Sequence, residues 1–152
     1  MSKRRRARRL VIQGLSCLDV QGPKAWDLVI SFMEDSRETP ETVAMAKQFL
    51  EQAFADREAC DVLLARHARH WDLSRLALVD RNILRLATSE LRDGETPFKA
   101  VISEAIALAK EFSSAESPRF VNGVLDAIAR ELRGGAAAES DEEDLNSGSA
   151  EQ

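Results

Sequence analysis

Three times in this chain a hydroxyl residue followed by proline stands in front of apolar residues spaced three and four apart: Thr39-Pro40, Thr96-Pro97 and Ser117-Pro118. A Ser or Thr oxygen accepts from one of the first N–H groups of a helix, and proline suits the first turn because its missing N–H is not needed there. The runs behind these starts keep a helical period. They comprise Val43, Ala46, Leu50, Ala53 and Phe54, then Val101, Ala105, Leu108 and Phe112, then Phe120, Val121, Val124, Leu125, Ile128 and Leu132. Asn122-Gly123 would mark a hairpin between alternating strands, but no alternating pattern flanks it. Gly123 therefore falls inside the last helix, at a cost of about 1 kcal/mol relative to Ala. Either packing accounts for it or something approaches the backbone closely there, a second helix or a ligand.

The rest of the chain reads the same way. A first helix is predicted over about Lys3 to Asp19, with Ala7, Leu10, Val11, Gly14, Leu15 and Leu18 as its apolar stripe and Arg5, Arg9 and Ser16 on the opposite side. Gln21-Gly22-Pro23 ends it, and Pro23 opens a second helix carrying Trp26, Val29, Ile30 and Met33. Asp56 caps a fourth, with Ala59, Val62, Leu63 and Leu64 inside. A fifth runs from about Ser74 to Leu91, and Asp93-Gly94 breaks the chain after it. Gly134-Gly135 ends the seventh. Aromatic residues are only 5% of the chain and Tyr is absent, which fits an all-α fold of about seven helices rather than sheets.

Charge divides the chain in three. Of 26 acidic residues, six lie within 134–152, where there is no Lys or Arg; the remaining 20 face 21 bases, so the body is close to neutral. Six of those bases, Lys3, Arg4, Arg5, Arg6, Arg8 and Arg9, fall within the first nine residues. The expected organisation is a helical domain over 1–133 and a disordered acidic tail over 134–152, too poor in apolar residues to offset its ordering entropy. A basic front points to an anionic partner. The tail either solubilises the protein or folds back over the basic helix and competes for it.

Catalytic patterns are missing. There is no phosphate loop and no glycine-rich dinucleotide turn. His67 and His70 sit three apart near Asp72 and read as solvated surface residues rather than a metal pair. Cys17 and Cys60 have no ligand spacing and read as reduced thiols of a cytoplasmic protein. No run approaches the roughly 20 apolar residues of a membrane span, and the basic start lacks a cleavage pattern. The expectation is a non-enzyme with no cofactor and no membrane contact. Clustered cations suit phosphates. Phe112 and Phe120 flank the polar connection Ser113-Ser114-Ala115-Glu116-Ser117, and rings beside amides and cations can stack unpaired bases and bond to their edges.

Several segments carry a family resemblance. They are Arg4-Arg5-Arg6-Ala7-Arg8 with Gln13, then Leu76 to Ala87 (LALVDRNILRLA), then Pro97 to Phe112 with Val101-Ile102-Ser103-Glu104-Ala105 and Leu108-Ala109-Lys110-Glu111-Phe112. The most specific is Phe120-Val121-Asn122-Gly123-Val124-Leu125-Asp126. In this order and spacing the chain resembles the bacterial transcription antitermination factor NusB family from about Arg4 to Arg133. The resemblance implies two helical subdomains set nearly perpendicular and a function without catalysis. Such proteins bind boxA-type RNA together with the ribosomal protein NusE and join the transcription elongation complex, so that RNA polymerase reads through terminators, notably in ribosomal RNA operons. Carried onto matching positions, the RNA surface comprises Arg4, Arg5, Arg6, Arg8, Gln13, Phe112, Glu116, Phe120 and Asn122. The NusE side comprises Asp80, Arg81 and Leu84.

The chain departs from the family at Ser16, often Tyr or Phe, at Ser103, usually Asn, and at Ser89, commonly Tyr. Two other readings stand beside this one. A related helical domain fronts some RNA methyltransferases, but a cofactor-binding α/β domain follows it there. A helical adaptor that binds only protein would share the helices without the RNA surface. Whether the chain is a monomer or a homodimer is left open by its sequence.

Overall fold

Helix α1 (Lys3–Gln21) opens the fold. The computed structural model describes residues 1–68 and 76–150, with side chains as far as Gly134. After α1 come a short 3-10 turn (Pro23–Ala25), α2 (Trp26–Glu34), α3 (Pro40–Ala55), α4 (Arg57–His67), α5 (Leu78–Asp93), α6 (Phe98–Phe112) and α7 (Ser117–Ala150), with no strand among the described residues. The all-α expectation holds. Helices α1 to α3 pack on one another, α4 to α7 form a second group, and α5 meets both α1 and α3. The start expected for the fifth helix, near Ser74, lies outside the described residues. The backbone of α7 continues past Gly134-Gly135, where the sequence predicts its end, but its last buried side chain is Ala129. Most of the predicted tail, 134–152, falls where no side chain is described.

The predicted stripe of α1 is buried throughout, and Ile12 joins it. Gly14 is there for space. A Cβ at this position would stand 2.8 Å from Val29 Cγ1 and 3.3 Å from Met33 Cε, so the missing side chain lets α2 press against α1. Val11, Val29, Met33 and Leu50 fill this first group, while Leu64, Ile83, Leu84, Leu108, Leu125 and Ile128 fill the second, in one continuous core. Each such side chain contributes about 1.5–3 kcal/mol by leaving water. Val62, expected inside, is 59% exposed; α4 buries Cys60, Leu63 and Leu64, and Val62 lies off that stripe.

The helix starts differ from expectation in their chemistry more than in their place. Thr39 caps α3 as predicted, its hydroxyl accepting from Thr42 N at 3.2 Å. Asp56 caps nothing, because its carboxylate pairs with Arg92 across to α5. Pro97, not Thr96, is the residue before α6, and Pro23 starts a 3-10 turn before α2. Ser117 begins α7 but gives its hydroxyl to Asp80. Tertiary partners have displaced local ones. The Asp93-Gly94 break is as read: Gly94 closes α5 at φ 78°, a conformation that disfavours any Cβ, and its N–H reaches Glu90 O at 3.1 Å.

Two polar clusters tie the groups together. The Arg8 guanidinium donates to both oxygens of Glu90, Nη2 to Oε1 at 2.6 Å and Nε to Oε2 at 3.0 Å, with Arg8 only 3% exposed. Its flank lies 5.5 Å from the Phe49 ring centroid, so one cation touches α1, α3 and α5. At the far end of α1, Asp19 Oδ2 accepts from Arg81 Nε at 2.8 Å and lies 3.1 Å from Arg85 Nη1, while Arg85 grips Asp61 of α4 with two bonds of 2.8 Å. Burial alone would raise the Asp19 carboxyl; the Arg81 hydrogen bond and the charges of Arg85 and Arg81 outweigh it and hold the group below its ordinary value.

Removing one partner of a buried pair leaves a bare charge, at about 3–5 kcal/mol. Arg8→Ala is therefore expected to lower the urea midpoint by an amount corresponding to that range, whereas Arg8→Met with Glu90→Leu restores most of it. A double variant as unstable as the single one would show that the ion pair is not what matters. For Asp19 the folded carboxyl titrates below the unfolded one, which sits at about 3.9. Its contribution is fully present above that value and disappears as pH falls through the folded one. Asp19→Asn is expected to be less stable at pH 7 and to lose less on acidification, measured as urea midpoints from neutral pH down to about pH 3.

Candidate nucleic-acid interface

The basic front of the sequence does not survive as six free cations. Lys3 pairs with Glu41, Arg5 with Glu104, Arg8 with Glu90 and Arg9 with Glu111. Arg4 and Arg6 have no carboxylate partner among the described residues. Arg5 binds Glu104 through two bonds of 3.0 Å, and that hydrogen bond raises the guanidinium above its ordinary range while lowering the carboxyl. Arg9 reaches Glu111 at 2.7 Å and lies 5.4 Å from the Phe112 ring centroid. The arginines read as the solvent face of α1 thus lean across onto α6. Arg8, placed on the RNA surface from sequence, faces inward, where its charge is already satisfied by Glu90.

The turn between α6 and α7 is built from hydroxyls. Ser117 Oγ donates to Asp80 Oδ2 at 3.0 Å and is 2.9 Å from both Ser113 Oγ and Ser114 Oγ. This knot anchors the start of α7 to the first turn of α5. Around it stand Glu116, exposed at the turn, and Phe112 and Phe120, both half-buried against the core. Gln13 and Asn122 are exposed. At Gly123 no atom of the chain lies within 4 Å of where a Cβ would be, so no second helix uses the space.

Beside Asn122 the surface sinks into an open hollow of about 470 Å³ between α1, α6 and α7. Arg5 and Asn122, two residues picked out by sequence, both line it. Phe98, Ile102, Ile106 and Ala107 form its apolar wall, and Lys99, Ser103, Lys110 and Asp126 its polar rim. The lysines lie off the apolar stripe of α6. Lys99, Ser103, Ile106 and Lys110 themselves recur at three- and four-residue steps, which is the signal for one face.

The residues expected on the partner side are less accessible. Leu84 is fully buried, and Asp80 is 7% exposed with its carboxylate turned to Ser117. Arg81 is held to Asp19. The helical stripe that contains Ile83 and Ala87 draws Leu84 inward. Ser16, at a position where an aromatic ring was noted as missing, instead accepts from Asn82 Nδ2 at 3.3 Å.

Among the described residues no three His, Cys, Asp or Glu side chains converge as for a metal. His70 lies outside the described residues, and His67 Nε2 sits 3.5 Å from Glu131. Burial, with the neighbouring Asp61 charge, pushes the Cys60 thiol up to about 12, leaving it inert. No helix among the described residues is long and apolar enough to cross a membrane.

Comparison with known proteins agrees over nearly the whole body. The NusB family model matches residues 5–130. A transcription antitermination protein NusB from Solibacter usitatus is 40% identical over 134 residues, covering 87% of this chain and 92% of the relative. The solved T. maritima NusB is 32% identical, with a TM-score of 0.77 over 86% of this chain and 93% of that one. A chain in the crystal structure of antitermination factors NusB and NusE in complex with dsRNA is 27% identical, with a TM-score of 0.72 over 86% of this chain and 98% of that one. With a cation-rimmed face on α1, α6 and α7 and this agreement from end to end of the body, the chain belongs to the NusB family.

Proposed function

We propose that this protein is a transcription antitermination factor that binds boxA-type RNA together with ribosomal protein NusE. In that role it joins the transcription elongation complex and lets RNA polymerase read through terminators, notably in ribosomal RNA operons. It works in the cytoplasm by binding, without catalysis or a cofactor. The observation that carries the reading is the likeness to the chain solved with NusE and RNA, over 98% of that chain's length. The domain over 1–133 does the binding, and 134–152 is an acidic tail.

The chemistry of the face supports the RNA part. Arg4 and Arg6 are the front cations left for phosphates, since those that pair with carboxylates have their charge answered within the fold. Phe112 and Phe120 offer ring edges, and Gln13, Glu116 and Asn122 offer hydrogen-bonding groups. Arg8 positions α1 rather than touching RNA. On the NusE side, Arg81 stands partly exposed in its bond to Asp19, while Asp80 and Leu84 hold α5 in place beneath it.

Arg4→Ala with Arg6→Ala is expected to weaken boxA RNA binding and to flatten the salt dependence by about 1.4 in log–log slope, at about 0.7 for each phosphate on a single strand. Fluorescence anisotropy against salt, with NusE present, reads both. An unchanged slope would remove these arginines from the interface, and boxA RNA bound no better than scrambled RNA would remove the function. Gly123→Ala separates fold from ligand. With nothing of the chain beside it, the substitution is expected to stabilise the helix by up to about 1 kcal/mol while loosening RNA binding. A variant that melts higher and binds RNA as well as before would show that no RNA approaches that backbone.

A further inference from the structure

We infer that the hollow between α1, α6 and α7 is a subsite for one unpaired nucleotide, its base lodged against Ile102 and Ile106 and its flanking phosphates drawn to Lys99 and Lys110. The inference rests on the RNA-binding reading above and gives that surface a defined pocket. At about 470 Å³ and open to solvent, the hollow has room for one base with its sugar and phosphates outside. Its composition is that of a nucleotide site. The apolar wall suits the face of a base, and Asn122 and Ser103 stand at the rim with donors and acceptors for a base edge.

Charge complementarity selects an anionic occupant. Lys99 and Lys110 are exposed, lie three helical turns apart and have no carboxylate partner among the described residues. Arg5 also lines the hollow, but its charge is answered by Glu104 and it serves there to fix the wall. Phe98 carries the Arg133 guanidinium 3.9 Å from its ring centroid, bringing a third cation. The one acidic group on the rim, Asp126, is occupied by Arg130 at 2.7 Å. An apolar peptide would leave these cations unanswered, and a bare phosphate would leave the apolar wall wet. A nucleotide satisfies both.

The test is a double-variant cycle with the full chain and NusE, using a short single-stranded boxA-type RNA in which each nucleotide in turn is made abasic. Ser103→Phe fills the hollow from an exposed position, where the fold is indifferent to it; an unchanged melting curve verifies this, and Asn122→Ala serves as the smaller second variant. For the unaltered protein, one abasic position is expected to cost about tenfold in affinity, the scale of roughly 50 Å² of apolar surface withdrawn from water. In Ser103→Phe that same position is expected to cost nothing, because the loss has already been taken. If the protein binds boxA RNA but every abasic position costs both forms alike, the subsite is overturned and the RNA function stands. Ser103→Phe that weakens NusE and spares RNA would assign the hollow to protein and overturn it equally. No preference for boxA over scrambled RNA would overturn subsite and function together.

Discussion

The pairing of Arg8 with Glu90 is the interaction on which the arrangement of this molecule depends. It sits where α1, α3 and α5 meet, and it brings α1 close enough to α6 for Arg5 and Arg9 to find Glu104 and Glu111. An ion pair this deep is a poor source of net stability compared with apolar packing of the same volume. What it does is set geometry: a bidentate fork tolerates one orientation of the two helices, where a patch of leucines would tolerate several. The face formed by α1, α6 and α7 inherits its shape from that constraint.

From this follows a division of labour among chemically identical side chains. Arg4 and Arg6 remain available to an outside anion, whereas Arg5, Arg8 and Arg9 are held by carboxylates of the same chain. The held arginines still matter to binding, since they place Phe112 and the wall of the hollow. The α6–α7 turn is treated similarly. Two of its serines, Ser113 and Ser114, converge on the hydroxyl of the third, Ser117, which donates to Asp80, so the start of α7 is tied to α5. Both sides of the proposed interface are therefore mechanically attached to α5.

Much of this was legible beforehand. The apolar stripe of α1, the Thr39 cap, the turn at Gly94 and the helix starts behind the three prolines were readable because each depends on neighbours three or four residues away. The family was legible too, through the Phe120 to Asp126 segment above all. Individual site residues were harder. Arg8 and Arg4 look alike as letters, and only the position of Glu90, 82 residues on, separates them. Leu84 was drawn into the partner surface by its motif although its place on the helical stripe already pointed inward. Lys99 and Lys110 share a face by helical period alone, but that this face borders a hollow with Asn122 is decided only when α6 is laid against α7.

By itself, then, the sequence determined what short-range physics controls: an all-helical chain, its breaks, its apolar faces and its membership of a family. Tertiary structure alone decided which cations are spent on the fold and which face outward, where Gly123 meets open space, and that Arg5, Lys99, Lys110 and Asn122 surround one hollow. The reason is distance along the chain. Helix periodicity and capping are settled within a turn or two, but the charge state and exposure of a side chain depend on partners that arrive from the far end of the chain, and those partners are set only when the core closes.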